Sequence, residues 1–290
     1  MKKAINIWSF PPEWDLSRKM EVAADAGFAG FEPDLSENGP IHLKSTRSEL
    51  AAVRALAENY DLVFSGLATG LYWGANAASD DPAVRERAAQ ILERQIKCAA
   101  ALGIEAILVV PGAVGVDFIP GAEEVPYDLA YERAREFIGG AVALAARHRV
   151  HLAIENVWNK FLLSPLEMRA FVDSFGSEWV GSYLDVGNVL ATGYPEHWIS
   201  ILGPRIRRVH FKDFRRGVGT IHGFVELLSG DANWPAIVGA LRGSGYTGWV
   251  AAEMIPPVPF YKHRPEVLIA NTSHAMDAIL AVGEERSARS

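Results

Sequence analysis

The chain has 290 residues, 49% hydrophobic and 22% charged, with a formal charge of −7, a composition that belongs to globular proteins with a sizeable core and excludes disordered and fibrous classes. An acidic chain has no global positive field to gather nucleic acid or an anionic membrane, so neither is expected as a partner. The single cysteine, Cys98, permits no intrachain disulfide and suits a reducing, cytoplasmic setting, and no apolar run reaches the roughly 20 residues that span a bilayer.

Short β-rich runs alternate with longer helical patterns. Ala4–Ser9 is the first strand, and the chain turns polar by Ser9 without a signal-peptide core. A helix over Asp15–Ala26 follows, with Asp15 as its N-cap, and Gly27 ends it. Ala29–Pro33 is the second strand, Thr46–Asn59 a helix and Leu62–Leu67 the third strand. Pro82 opens a helix that runs to Leu102, where Gly103 supplies the stop. Ile104–Val110 is an almost continuous apolar run, as a parallel strand covered on both faces requires.

The alternation continues with a helix at Tyr127–His148, a strand at Val150–Glu155, a helix at Pro165–Ser174 and a strand at Trp179–Asp185. A short helix at Pro195–Leu202 leads to a strand at Ile206–Phe211; then come a helix at Trp234–Ser244, a strand at Gly248–Glu253 and a closing helix at Pro265–Val282. Eight β-then-α units without a composition break predict an α/β protein, a single-domain (β/α)8 TIM barrel over residues 1–282, with a tail at 283–290. No GxGxxG or GxxxxGK[ST] signature is present.

The active site of such a barrel lies at the C-terminal ends of its strands. Four consecutive strands end in metal-ligand types: Glu155, Asp185, His210 and Glu253. Side chains alternate along a strand, so counting back by twos reaches Ala153 below Glu155, Ala251 below Glu253, and Tyr183 and Gly181 below Asp185. A lone strand-end glutamate is usually a cap or an ion-pair partner, but three carboxylates converging without a cation repel strongly. Three carboxylates and one imidazole suit Mn²⁺, Mg²⁺ or Co²⁺ better than a closed structural zinc site. Around them, Lys212 and Asp213 read as an internal ion pair or as support for the site. Arg215 and Arg216 read as contacts to a substrate oxygen or phosphate or as exposed surface, Glu32 as a substrate contact or loop cap, and Trp8, Trp73 and Trp158 as an aromatic wall or core.

Ile154-Glu155-Asn156, Leu184-Asp185-Val186-Gly187-Asn188, Val209-His210-Phe211-Lys212-Asp213 and Ala252-Glu253-Met254 together resemble the xylose isomerase-like TIM-barrel superfamily. Within it the chain is similar to the sugar phosphate isomerase/epimerase group, which includes the tagatose/psicose 3-epimerases and L-xylulose 5-phosphate 3-epimerase. The likeness extends to Gly27-Phe28-Ala29-Gly30-Phe31-Glu32 and Gly230-Asp231-Ala232-Asn233-Trp234.

The resemblance implies one divalent ion, Mn²⁺ before Mg²⁺, Co²⁺ or Zn²⁺, held by Glu155, Asp185, His210 and Glu253. It further implies that Glu155 and Glu253 act as the acid/base pair on a small sugar or sugar phosphate, through an enediolate. Asn188, Arg215, Lys212, Glu32, Trp8 and Trp158 are the candidate substrate contacts, and homo-oligomerisation is left open. The free-ketose 3-epimerases have His where Asn188 stands and a substrate-binding Glu where this chain has Phe161. The Asp-x-Gly-Asn form is instead similar to the pentulose-phosphate epimerases, so the substrate is not carried over from the tagatose epimerases, and Arg215, Arg216 and Lys212 nearby make a phosphorylated ketose one hypothesis. The alternatives in the same superfamily are a metal-dependent dehydratase or lyase on an inosose or keto-acid, endonuclease IV, and a barrel that binds sugar without turnover. Endonuclease IV needs further His ligands, one of them at Asn188, and a basic face that an acidic chain lacks.

Overall fold

The computed structural model describes residues 1–255 and 263–282; the expected tail at 283–290 lies outside them. The principal strands are β1 (Lys2–Asn6), β2 (Gly30–Glu32), β3 (Val63–Phe64), β4 (Ala106–Val109), β5 (His151–Glu155), β6 (Val180–Asp185), β7 (Ile206–Phe211) and β8 (Trp249–Ala252). The helices are α1 (Leu16–Asp25), α2 (Arg47–Asn59), α3 (Pro82–Leu102), α4 (Tyr127–His148), α5 (Pro165–Asp173), α6 (Val186–Leu190), α7 (Pro195–Leu202), α8 (Trp234–Gly243) and α9 (Pro265–Ala281). Among the described residues no helix is long and apolar enough to cross a membrane.

The chain groups into two compact units, each assembled from non-contiguous segments: residues 1–32, 56–65 and 185–290 in the first, 33–55 and 66–184 in the second. In the first unit β3, β2, β1, β8 and β7 run parallel in that spatial order. Register fixes which residues share a level: Ala4 pairs with both Gly30 and Ala251, and Asn6 pairs with Glu32. Small residues therefore occupy one level, and polar ends stand two positions higher on the same face. On the other face of β1, the Lys3 ammonium donates to Ser273 Oγ at 2.8 Å and pairs with Asp277 at 2.6 Å, tying the strand to α9.

In the second unit β4, β5 and β6 are parallel, with Leu152 opposite Val180 and Glu155 opposite Tyr183. These strands are buried on both faces, which explains the apolar runs read from the sequence. Beyond β3 the chain rejoins the sheet only through a bridge from Leu67 to Ile107, so the expected strand at Leu62–Leu67 is cut short. Gln95 of α3 closes that gap: its side-chain amide donates to Leu67 O at 2.9 Å and Leu108 O at 3.0 Å, and its carbonyl accepts from the Tyr72 hydroxyl at 2.9 Å. Asp15 accepts from Arg18 N and Gly103 adopts φ +77°, as the sequence predicts, and the structure adds caps at Asp81, which accepts from Ala83 N, and Ser164, which accepts from Glu167 N.

Three features were not legible. A 3-10 turn at Ile7–Ser9 replaces the end of the first expected strand, α6 follows β6 without a break, and Asp213–Phe214 pairs antiparallel with Phe224–Val225. Gln95→Leu is expected to destabilise the fold by at least about 2 kcal/mol in urea denaturation, because two buried carbonyls and a buried hydroxyl lose their partner at once. Wild-type stability in that variant would show that the sheet closes there without the glutamine.

Candidate metal centre

Within the first unit, four strand ends bring charged groups into one buried cluster. His210 lies on β7 opposite Ala251 and is fully buried. Its Nε2 is 2.6 Å from Glu32 Oε2, while Nδ1 faces Glu253 Oε2 at 3.1 Å and Asp185 Oδ2 at 3.7 Å. A carboxylate is an acceptor, so Glu32 fixes the Nε2–H tautomer and turns Nδ1 toward the other two carboxylates. A lone pair aimed at two carboxylates is tolerated only with a second proton or a cation between them. Lys212 supplies positive charge beside the ring: its Nζ is 3.0 Å from Asp185 Oδ2 and 2.5 Å from Glu253 Oε2. Burial pushes the Glu253 carboxyl up, but the Lys212 ammonium and the His210 ring outweigh it and hold it down at about 2.

Two backbone arrangements hold this cluster. Asp185 ends β6 and its Oδ1 caps α6 by accepting from Asn188 N at 2.7 Å, leaving Oδ2 for the cluster. Gly187 lies against Lys212: a Cβ there would stand 2.3 Å from Lys212 Cβ and 3.2 Å from its carbonyl carbon. The Val-Gly-Asn sequence after Asp185 is therefore set by β7 as much as by the turn itself. Asp213 points the other way and organises the following loop. Its Oδ1 accepts from Phe214 N and Ala232 N at 2.9 and 3.1 Å, and its Oδ2 from Leu228 N and Trp234 Nε1 at 3.0 and 3.2 Å. The approach at Gly230 is so close that a Cβ would lie 2.1 Å from Asp213 Oδ1. Burial pushes the Asp213 carboxyl up despite those donors. The expected Lys212–Asp213 ion pair is thus replaced by two separate roles.

In the second unit Glu155 is the last residue of β5, buried, with Ala153 opposite Gly181 below it. The loop beyond it is shaped by Asn159, which donates to Gly112 O at 2.7 Å and accepts from Phe161 N at 3.1 Å. Phe161, where the resemblance led to the expectation of a glutamate in free-ketose epimerases, is 2% exposed and packs edge-on against Phe171 and near Tyr127. A carboxylate at that position would be buried among rings, so the departure is structural as well as chemical.

Within the first unit, ligand atoms of Asp185, His210 and Glu253 lie within 4.8 Å of one another. Oxygen and nitrogen ligands stand about 2.0–2.2 Å from Mg²⁺ or Zn²⁺, hence up to about 4.4 Å from one another. The residues fit one such ion after a small inward movement, and the donor set is the one that hard and borderline divalent cations prefer.

The expected substrate contacts are distributed unevenly. Lys212 and Asn188 are buried beside the ligands. Glu32 is fully buried and engaged by His210 and by Asn6 Nδ2, each at 2.6 Å. Trp8 and Trp158 are half-buried, in the turns after β1 and β5. Arg215 is exposed and donates from Nε to Ser229 O at 3.1 Å; Arg216 lies over the Tyr194 ring, 4.6 Å from its centroid. Sequence reading missed Asn6, which accepts from Trp8 N and holds Glu32. Its signal was a polar side chain two positions above Ala4 at a strand end.

Gly187→Ala is expected to force the β6–α6 turn away from Lys212, costing about 1–3 kcal/mol in urea denaturation and weakening Mn²⁺ binding in calorimetry. A variant with wild-type stability and affinity would mean that the turn yields freely.

The family model for the xylose isomerase-like TIM barrel matches residues 20–271. The putative L-ribulose-5-phosphate 3-epimerase SgbU of Escherichia coli K12 is 30% identical over 188 residues, which cover 61% of this chain and 60% of that protein. The structure of an L-ribulose 3-epimerase superposes with a TM-score of 0.80 at 18% identity, over 99% of this chain and 97% of that one. A crystal structure of the IOLI protein with a binding zinc atom gives a TM-score of 0.79 at 16% identity, over 97% and 98%. The barrel fold expected from the strand–helix alternation is the fold of these structures, and the chain belongs to the xylose isomerase-like TIM barrel family.

Proposed function

We propose that this chain is a divalent-metal-dependent epimerase or isomerase of a ketose or ketose phosphate, an enzyme that moves a carbon-bound proton through an enediolate. The observation that carries this reading is the buried group Asp185, His210 and Glu253 of the first unit, to which the proposal adds Glu155 as the fourth ligand. When bound there, a Mn²⁺-like ion supplies Lewis acidity that stabilises negative charge developing on substrate oxygens.

The chain's own residues supply the proton traffic. Glu253, held well below the usual carboxylate range, is ionised at neutral pH and so is in the form that accepts a proton. Glu155 is the partner carboxyl that returns a proton. Return to the same carbon from the other side inverts it; return to the neighbouring carbon exchanges aldose and ketose. Glu32 and Asn6 hold the imidazole of His210 in one tautomer and orientation, so that Nδ1 is its ligand atom. Asn188, Lys212, Trp8 and Trp158 are assigned to the substrate side of the site. Arg215 stands on the loop anchored by Asp213, where an exposed guanidinium suits a substrate phosphate. The named activity of the Escherichia coli relative, a putative L-ribulose-5-phosphate 3-epimerase, supports a phosphorylated ketose. A cytoplasmic setting fits a chain whose one cysteine is buried and reduced.

Incubation with Mn²⁺ and a panel of free and phosphorylated ketoses in D₂O tests the reaction. Deuterium is expected at C3, and Glu155→Gln or Glu253→Gln is expected to lower exchange at least about 1000-fold. Retained exchange in either variant, or loss of water from the substrate without exchange, overturns the assignment. Glu32→Gln is expected to weaken Mn²⁺ affinity about 10–100-fold by calorimetry; wild-type affinity would remove Glu32 from the account of the site.

A further inference from the structure

Lys212 is placed where a second cation would be in conflict with it. Its ammonium touches Asp185 Oδ2 at 3.0 Å and Glu253 Oε2 at 2.5 Å, oxygens of two of the residues grouped as metal ligands. A divalent ion bonded to those oxygens at about 2.1 Å would stand within contact of an ammonium so placed, and two cations cannot share that space at low dielectric cost. The lysine has a fixed base and a mobile head. Its Cα and Cβ are confined by the close approach of Gly187, whereas the four-carbon stem is flexible. The ring of Phe224 lies on another side of the head, 5.3 Å from Nζ to centroid, and is a favourable resting surface for a displaced ammonium.

We propose that Lys212 is an internal counter-cation of the metal-free site, which holds the carboxylates together until the ion arrives and which the ion must displace. The inference rests on the metal-dependent reading above and adds a property to it: Lys212 stabilises the apo protein and lowers its affinity for metal. The same residue then has two opposite effects, because any group that binds only the apo form shifts the equilibrium against the loaded one. Displacement also carries the ammonium out of the ligand set and makes it available to a substrate oxygen.

The test uses Mn²⁺ alone, with calorimetry for affinity and thermal unfolding in EDTA and in saturating Mn²⁺. Lys212→Met is expected to bind Mn²⁺ at least ~10-fold more tightly than wild type, to unfold at a lower temperature in EDTA, and to gain more from Mn²⁺. Lys212→Arg, which keeps the charge, is expected to retain apo stability and to show no such tightening. Unchanged or weaker Mn²⁺ binding by a folded Lys212→Met overturns the proposal while leaving the metal reading in place. Failure of wild type and both variants to bind Mn²⁺ would overturn the metal reading and this proposal together. Should Lys212→Met not fold, wild type labelled at lysine Cε decides: Mg²⁺ is expected to shift the one resonance missing from Lys212→Arg, and an unmoved resonance overturns the displacement.

Discussion

Burying several carboxylates together is the constraint from which the rest of this structure follows. Within the first unit Glu32, Asp185 and Glu253 are withdrawn from water beside a single imidazole and a single ammonium. Buried like charges repel, and a buried charge is retained only with partners of opposite sign or strong donors. Each carboxylate has such partners. Glu32 takes the His210 Nε2 proton and an Asn6 amide, Asp185 takes the α6 N-terminus and Lys212, and Glu253 takes Lys212, while His210 Nδ1 faces Glu253 and Asp185. Two carboxylates and an imidazole nitrogen facing one another are well arranged for a cation, which is why the cluster reads as a candidate site.

The parallel sheet sets the height of these groups. Equal register along β1, β2 and β8 puts Ala4, Gly30 and Ala251 on one level and the polar ends above them. Small side chains below leave room, and rigid strands hold the polar ends with little freedom to separate. The loop after β7 is held differently, by the buried Asp213 carboxylate and its ring of backbone donors. In the second unit Phe161 belongs to an aromatic cluster with Phe171.

Much of this was present in the sequence because it depends on local patterns. The helix cap at Asp15, the glycine stop at Gly103 and the apolar run into β4 are local physics. The candidate ligands were legible for a related reason. Strand alternation and the position of active sites at strand ends convert spacing along the chain into a shared face, which marks Glu155, Asp185, His210 and Glu253 as candidates by residue type and place. The membership of the family was likewise readable from those short strand-end motifs.

What the sequence could not determine is which of two neighbours a charged side chain chooses. Lys212 and Asp213 are adjacent and of opposite sign, yet one joins the ligands and the other anchors a loop, because successive strand residues point to opposite sides. Glu32 looked like a substrate contact until the fold set His210 within 2.6 Å of it, from 178 residues away in the chain. Gly187 and Gly230 have no local need for glycine in their spacing; Lys212 and Asp213 impose it by packing. The sequence by itself determined the alternation, the caps and the donor types, all functions of near neighbours. Partner choice was decided by the tertiary structure alone, because contact between distant residues depends on register and packing that no local pattern encodes.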